Sequence, residues 1–156
     1  SQDVERYFLS KKIGPEPSFE TFDEKIFAEK LKKSKKKIKP YLLDQTLVAG
    51  LGNIYVDEVL WRSQVHPEML ASALSDVQIH RIHDYTIEVL QTAVERGGSS
   101  IRTYKNAMGK EGSMQELLMV YGKQGQLCPH CQQAVIEKIK VAGRGSHFCP
   151  YCQKVE

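Results

Sequence analysis

Two Cys-x-x-Cys pairs constrain the fold of this chain more than any other feature. They are Cys128/Cys131 and Cys149/Cys152, with 17 residues between the inner two cysteines. Two thiolates two residues apart can reach one ion from a tight turn, and two such pairs complete a tetrahedral four-sulfur site suited to structural zinc. The sequence therefore predicts one structural Zn²⁺ held by these four cysteines.

Redox chemistry and disulfide bonding are the alternatives for the four thiols. A redox Cys-x-x-Cys is usually a single motif, and secreted disulfide domains carry more cysteine and follow a signal sequence, which we do not expect here. His130 and His147 lie close to the thiols, and either residue could replace a thiolate as a ligand. Because four cysteines already fill a tetrahedral site, we expect both histidines to be non-ligands.

Length and charge limit the remaining possibilities. The chain has 156 residues and a net charge of only +3, but seven of the ten residues from Lys30 to Lys39 are lysine, so positive charge is local. No apolar run approaches the length of a membrane span. We expect a soluble, intracellular protein of two units, in which a metal holds together a C-terminal piece with little core.

The middle of the chain predicts helices. Phe19, Phe22, Ile26, Phe27 and Leu31 recur at helical spacing behind a Thr21/Glu24 capping box. Pro40 can open a helix to about Ala49, and Asn53 can cap the next helix after Gly50 and Gly52. Ser75 and Gln78 form another capping box before a long helix that ends at Gly97–Gly98. Within that helix, His80 and His83 are predicted at the surface, and residues 99–113 are predicted to be a mobile loop.

Three features are candidate phosphate ligands. The lysine run is either a solvated face or a phosphate-binding segment. Asn53 either caps its own helix or joins free backbone amides in binding an anion. Arg144 lies between Gly143 and Gly145 in the turn of a predicted hairpin, where it is either simply exposed or a bidentate phosphate ligand.

Several motifs together resemble bacterial formamidopyrimidine-DNA glycosylase, a repair enzyme that removes oxidised purines. The resemblance covers nearly the whole chain. It rests on Lys39-Pro40, Val48-Ala-Gly-Leu-Gly-Asn-Ile-Tyr55, Asp57-Glu58, Val65-His-Pro67, Gly97-Gly-Ser-Ser-Ile-Arg102, Val120-Tyr-Gly-Lys123, the four cysteines and Gly143-Arg-Gly-Ser-His-Phe-Cys-Pro150.

The resemblance implies a mainly α fold, a helix-two-turns-helix DNA-binding domain with a small β-hairpin zinc finger. The expected divisions are an arm or linker at 1–17, the helical domain at 18–122 and the zinc finger at 123–156. It also implies a monomer in the bacterial cytoplasm, bound to double-stranded DNA that contains an oxidised purine or an abasic site.

The resemblance also assigns residues. It implies phosphate contacts from Lys39, Asn53 and Arg144, a DNA contact from Tyr121, and a loop over the extruded base at 103–114. Gly50, Gly52 and Glu58 would support the DNA-binding turn.

The catalytic residues of the resembled family are an N-terminal proline amine and the glutamate after it, both in a separate N-terminal domain. This chain begins Ser1-Gln2, and its first proline is Pro15. We therefore expect the DNA-binding half of a glycosylase and AP lyase, with no catalytic residue in this chain and no activity alone. The alternative function is a non-catalytic zinc ribbon that binds a protein partner.

Overall fold

The computed structural model describes residues 13–96 and 117–155 and confirms the predicted fold class, mainly α with a small hairpin. The predicted end of the long helix at Gly97–Gly98 and the predicted loop over the base fall outside the described residues. The elements are α1 (Glu24–Lys32), α2 (Ile38–Leu43), α3 (Asn53–Ser63), a 3₁₀ turn (Ala71–Ala73), α4 (Asp76–Glu95), β1 (Glu137–Val141) and β2 (Arg144–Phe148).

The N-cap of helix α1 lies two residues later than predicted. The Asp23 carboxylate accepts from the amides of Lys25 and Ile26, so Asp23 and not Thr21 is the N-cap. The Thr21 hydroxyl instead donates to the Glu16 carbonyl at 2.8 Å. Of the apolar residues predicted at helical spacing within the element, Phe27 and Leu31 are buried, whereas Ile26 is exposed.

The connection between α2 and α3 is longer than predicted. Helix α2 ends at Leu43, not near Ala49. The reason is a local turn in which the Asp44 carboxylate accepts hydrogen bonds from the amide and the hydroxyl of Thr46. Gly50 has φ +94°, a conformation that favours glycine. Gly52, not Asn53, is the N-cap of α3, so the Asn53 side chain is not used for capping.

Helix α4 opens with the predicted capping box, in which Ser75 and Gln78 bond each other's backbone amides. It packs along α3, and the two helices form the main core with α1 and α2. His80 is exposed as predicted, whereas the surface prediction for His83 is wrong. His83 is buried because its Nε2 bonds the Phe22 carbonyl at 2.6 Å and its ring packs on the Phe22 ring.

Strands β1 and β2 form an antiparallel hairpin in which Val141 pairs with Arg144. The two connecting residues, Ala142 and Gly143, have φ of +51° and +81°, as a two-residue turn that follows strand twist requires. Arg144 is therefore the first residue of β2, directly after the turn.

A second, smaller core surrounds the cysteines. Val120, Cys128, Ile136 and Cys149 are buried together, and Trp61 of α3 packs against them. The hairpin unit is thus docked on the helical unit through α3. Within residues 13–96 and 117–155, no helix is both long and apolar enough to cross a membrane.

Candidate metal centre and anion-binding face

The four cysteine sulfurs lie within 4.8 Å of one another. The Sγ atoms of Cys131 and Cys149 are 3.6 Å apart, and those of Cys128 and Cys152 are 4.0 Å apart. A tetrahedron with zinc–sulfur bonds of about 2.3 Å has edges of about 3.8 Å. The cluster therefore has the size and donor chemistry of a four-sulfur zinc site.

N–H groups donate to two of the sulfurs, while burial raises the pKa of the Cys149 and Cys152 thiols. The Gln133 amide donates to the Cys131 Sγ, and the Trp61 Nε1 donates to the Cys128 Sγ, each at 3.4 Å. Burial tends to raise the pKa of Cys131, but the amides of Gln133 and Ala134 and the neighbouring thiols lower it to about 7. Deprotonated sulfur is the form that binds a metal.

Neither nearby histidine replaces a cysteine in the cluster. The His147 Nδ1 lies 3.0 Å from the Asp57 Oδ2, so this ring bonds a carboxylate of α3. The His130 Nδ1 lies 3.5 Å from the Cys152 Sγ, at the edge of the four-sulfur group.

Asp57 joins the helical unit to the hairpin. Its side chain is fully buried, and its Oδ1 accepts from the Lys39 Nζ at 2.7 Å. Its Oδ2 accepts from the backbone amide of His147 at 2.9 Å and is 3.0 Å from the ring. One carboxylate of α3 thus holds a lysine of α2 and a residue of β2.

The position of Lys39 differs from the predicted one. Its ammonium is buried and donates to three acceptors, the Asp57 Oδ1, the Gly145 carbonyl at 2.9 Å and the Ser146 Oγ at 2.8 Å. An ammonium has three donors, so none remains for a phosphate in this arrangement. Burial lowers the pKa of Lys39, Asp57 opposes this shift, and the nearby Arg144 adds to it. The structure makes Lys39 a buried support for β2.

Glu58 also has a role different from support of the Gly50–Asn53 turn. Its buried carboxylate accepts three backbone amides, from Met119, Val120 and Tyr121, at 2.8 to 3.0 Å. Three aligned N–H donors with a carboxylate form a charge-assisted set. Glu58 therefore fixes the segment that leads into the cysteine unit and places the Val120 side chain in its core.

The Asn53 side chain contacts the backbone directly after Arg144. The Asn53 Nδ2 donates to the Gly145 carbonyl oxygen at 3.3 Å, while Arg144 is the preceding residue and is exposed. The Asn53 amide has two N–H donors, and among residues 13–96 and 117–155 only one of them has a partner, in contrast to Lys39. The first amides of α3 also have no partner within their helix, and Gly50 and Gly52 beside them are exposed.

Tyr121 lies beside the same group of residues. Its ring centroid is 4.7 Å from that of His147, and its side chain is half-buried. His147 in turn bonds Asp57, so the tyrosine is connected to the Lys39–Asp57 pair through one ring.

The sequence did not reveal that Asp57, His147 and Gln153 join the helical unit to the hairpin. Gln153 is buried and links the units, because its Oε1 accepts from the Cys149 amide and its Nε2 donates to the Val65 carbonyl, each at 2.8 Å. The sequence does contain a pattern that points to Asp57. Asp57 and Glu58 are adjacent carboxylates between apolar residues of a helix, and those apolar residues are expected to be buried. Such carboxylates need buried partners.

Fold and site together define a class of helical domain with a glycine turn before a helix and a four-cysteine hairpin docked beside it. Two family models match. The formamidopyrimidine-DNA glycosylase H2TH domain matches residues 13–105, and a zinc finger found in FPG and IleRS matches residues 134–155. The first match covers more than half of the chain, so the chain belongs to the family of formamidopyrimidine-DNA glycosylase H2TH domains.

Similar proteins agree with this membership. The chain is 64% identical over 135 residues to formamidopyrimidine-DNA glycosylase of Lactococcus lactis subsp. lactis, and 63% identical over 138 residues to that of Streptococcus mutans. These alignments cover 86% and 88% of this chain but 49% and 50% of the relatives. The chain therefore spans about half the length of the curated relatives it matches.

Solved structures are similar over almost the whole chain. A complex of Lactococcus lactis FPG (MutM) with FAPY-dG-containing DNA has a TM-score of 0.88 and 60% identity, covering 99% of this chain and 56% of that one. MutM bound to DNA containing carbocyclic 8-oxo-G has a TM-score of 0.87 and 60% identity, covering 99% and 55%.

Proposed function

We propose that this chain is the DNA-binding half of a base-excision-repair glycosylase with AP lyase activity on oxidised purines. It binds duplex DNA that contains such a purine or an abasic site, and it holds the phosphates around the extruded nucleotide. Bond cleavage is assigned to the half of the relatives that this chain does not span. On this proposal the chain alone binds damaged DNA as a monomer and cleaves nothing, and it acts in the bacterial cytoplasm, at the nucleoid.

The observation that supports this proposal most is the hydrogen bond from Asn53 to the Gly145 carbonyl, which brings the start of α3 next to the residue that follows Arg144. Within the described residues, three kinds of donor are then available in this region: the second N–H of Asn53, the exposed guanidinium of Arg144 and the first amides of α3. Guanidinium groups and helix N-termini are both suited to phosphate. Tyr121 is a further DNA contact on this proposal, in the same region.

We assign one structural Zn²⁺ to Cys128, Cys131, Cys149 and Cys152. Its role is to fix the hairpin that carries Arg144, since a small two-stranded unit has little core of its own. The ordered hairpin is then connected to α3 by the hydrogen bond of Trp61 and to Val65 by the hydrogen bond of Gln153.

The test is the affinity of the zinc-loaded chain for a short duplex with a central abasic-site analogue, compared with the intact duplex, at two salt concentrations. Tighter and salt-sensitive binding to the abasic duplex supports lesion recognition by this half. Arg144→Ala should weaken binding by about 1 to 3 kcal/mol, the scale of charge-assisted hydrogen bonds. Lys154→Ala, which removes another exposed cation of the zinc unit, is the matched control.

Two results would argue against the proposal. Equal weak binding to both duplexes would assign lesion recognition to the other half of the enzyme, leaving this chain a general phosphate clamp. Absence of duplex binding at any salt concentration would favour the zinc ribbon that binds a protein partner.

A further inference from the structure

The lysine-rich segment between α1 and α2 forms a concave surface. Four lysines, one serine and the Tyr41 ring line an open depression of about 650 Å³; the lysines are Lys30, Lys33, Lys35 and Lys36. All four lysines are exposed. We call this surface the lysine depression.

The charges in the lysine depression are poorly balanced. Among the described residues, Lys30, Lys33 and Lys35 form no ion pair, and Lys36 has a long one, 3.5 Å to the Asp44 Oδ2. The Lys36 ammonium also lies 4.9 Å from the centre of the Tyr41 ring. The ammonium groups around the depression repel one another, and this repulsion is stronger than it would be if they were spread evenly around the helix. An anion in the hollow would relieve that repulsion.

The lysine depression is close to the surface formed by Asn53 and Arg144. Helix α2 contributes to both hollows: Tyr41 lies at the lysine depression, while Pro40 and Leu43, with the following Asp44, line a cleft with Arg144. A helix with its side chains is about 10 to 12 Å wide. A DNA strand carries one phosphate for every 3.4 Å of axis, so the distance corresponds to about three phosphates.

We propose that the lysine depression is a second, sequence-independent phosphate-binding surface, which holds the DNA backbone a few nucleotides from the phosphates bound by Asn53 and Arg144. The proposal rests on the proposed function, because it takes the same duplex as its ligand. Its chemistry is that of flexible ammonium groups, which bind phosphates as point charges without fixing a geometry. It should therefore contribute affinity and salt dependence, and no discrimination between lesion and intact duplex.

The test is the salt dependence of duplex affinity for a triple variant, Lys30→Gln, Lys33→Gln and Lys35→Gln. The matched control replaces three exposed cations elsewhere, Lys25→Gln, Arg81→Gln and Lys154→Gln. Both variants change the net charge from +3 to 0, so general electrostatic attraction falls equally. A Lys→Arg triple at the lysine depression keeps the charge and should behave as the parent.

The expected result is a flatter plot of log affinity against log salt for the Gln triple at the lysine depression. Each lysine that contacts a phosphate contributes about 0.9 to the slope, up to about 2.7 for three. The ratio of affinities for abasic and intact duplexes should stay unchanged. The same slope for both Gln triples would overturn the proposal.

Failure of this proposal and failure of the proposed function give different results. If the two Gln triples agree while Arg144→Ala still weakens binding, only the lysine depression is refuted. If the parent chain binds no duplex even at low salt, both proposals are refuted.

Discussion

Lys39 and Asp57 form a fully buried ion pair, with 2.7 Å between the Lys39 Nζ and the Asp57 Oδ1. The pair joins α2 to α3, and the same ammonium also donates to the Gly145 carbonyl and the Ser146 hydroxyl of β2. The geometry of the Asn53 and Arg144 surface therefore depends on a charge that solvent does not reach.

Replacing Lys39 by Met should destabilise the chain by about 3 to 5 kcal/mol, because Asp57 would stay buried without its cation. Urea denaturation at neutral pH measures the change. Lys37→Met is the control, since Lys37 pairs with Glu68 at 3.3 Å on the surface and should cost at most about 1 kcal/mol. Equal losses for the two variants would refute the importance of the buried pair.

Glu58→Gln should release the segment from Met119 to Tyr121. A neutral amide accepts more weakly than a carboxylate and turns its NH₂ towards one of the three backbone donors, so we expect a loss of about 1 to 3 kcal/mol. Amide hydrogen exchange of Val120 and Tyr121 reports the release directly. The comparison is Glu68→Gln, at a half-buried surface position. Unchanged protection of Val120 in Glu58→Gln would contradict this role.

Removal of zinc should be visible through Trp61, the single tryptophan of the chain. Its Nε1 donates to the Cys128 Sγ, so loss of the metal should alter its fluorescence and open the hairpin. The helices share a core of their own, and their circular dichroism should largely survive chelation. Unfolding of the whole chain on chelation would contradict separate stability of the helical unit.

His80 should titrate above its ordinary pKa. The hydrogen bond to Glu24 and the charge of Asp84 both raise that pKa, and the two contacts are 2.9 and 3.2 Å. Because the folded pKa is raised, the stabilisation is complete below the unfolded value near 6.5 and is lost as pH rises through the folded pKa. Ring-proton NMR should show the His80 pKa falling in Glu24→Gln and staying unchanged in Glu29→Gln. An unchanged value in Glu24→Gln would refute the effect.

Local patterns in the sequence predicted much of the fold. Cysteine spacing indicated the metal site, and Ser75 with Gln78 marked the start of α4, because ligand geometry and capping act over a few residues. The prediction for α2 was wrong beyond Leu43, since an Asp44–Thr46 turn competed successfully with helix propensity.

Burial of polar side chains was harder to predict. The sequence marks His83 as a polar residue on a helix, but only the packed structure brings the Phe22 carbonyl to its ring. The resemblance assigned Lys39 to a phosphate, and only the packed structure shows its three acceptors, which lie 18, 106 and 107 residues away in the chain. Contacts across such separations leave no local pattern.

Residue types and their spacing were sufficient to predict the four-cysteine cluster, the helical class and the groups suited to phosphate. Which of those groups remain available depends on long-range packing. It gave every donor of Lys39 to the interior and left Arg144 exposed with one amide donor of Asn53. A donor that bonds an acceptor in the core is not available to a ligand, and the acceptors that lie within reach of each donor are known only from the folded chain.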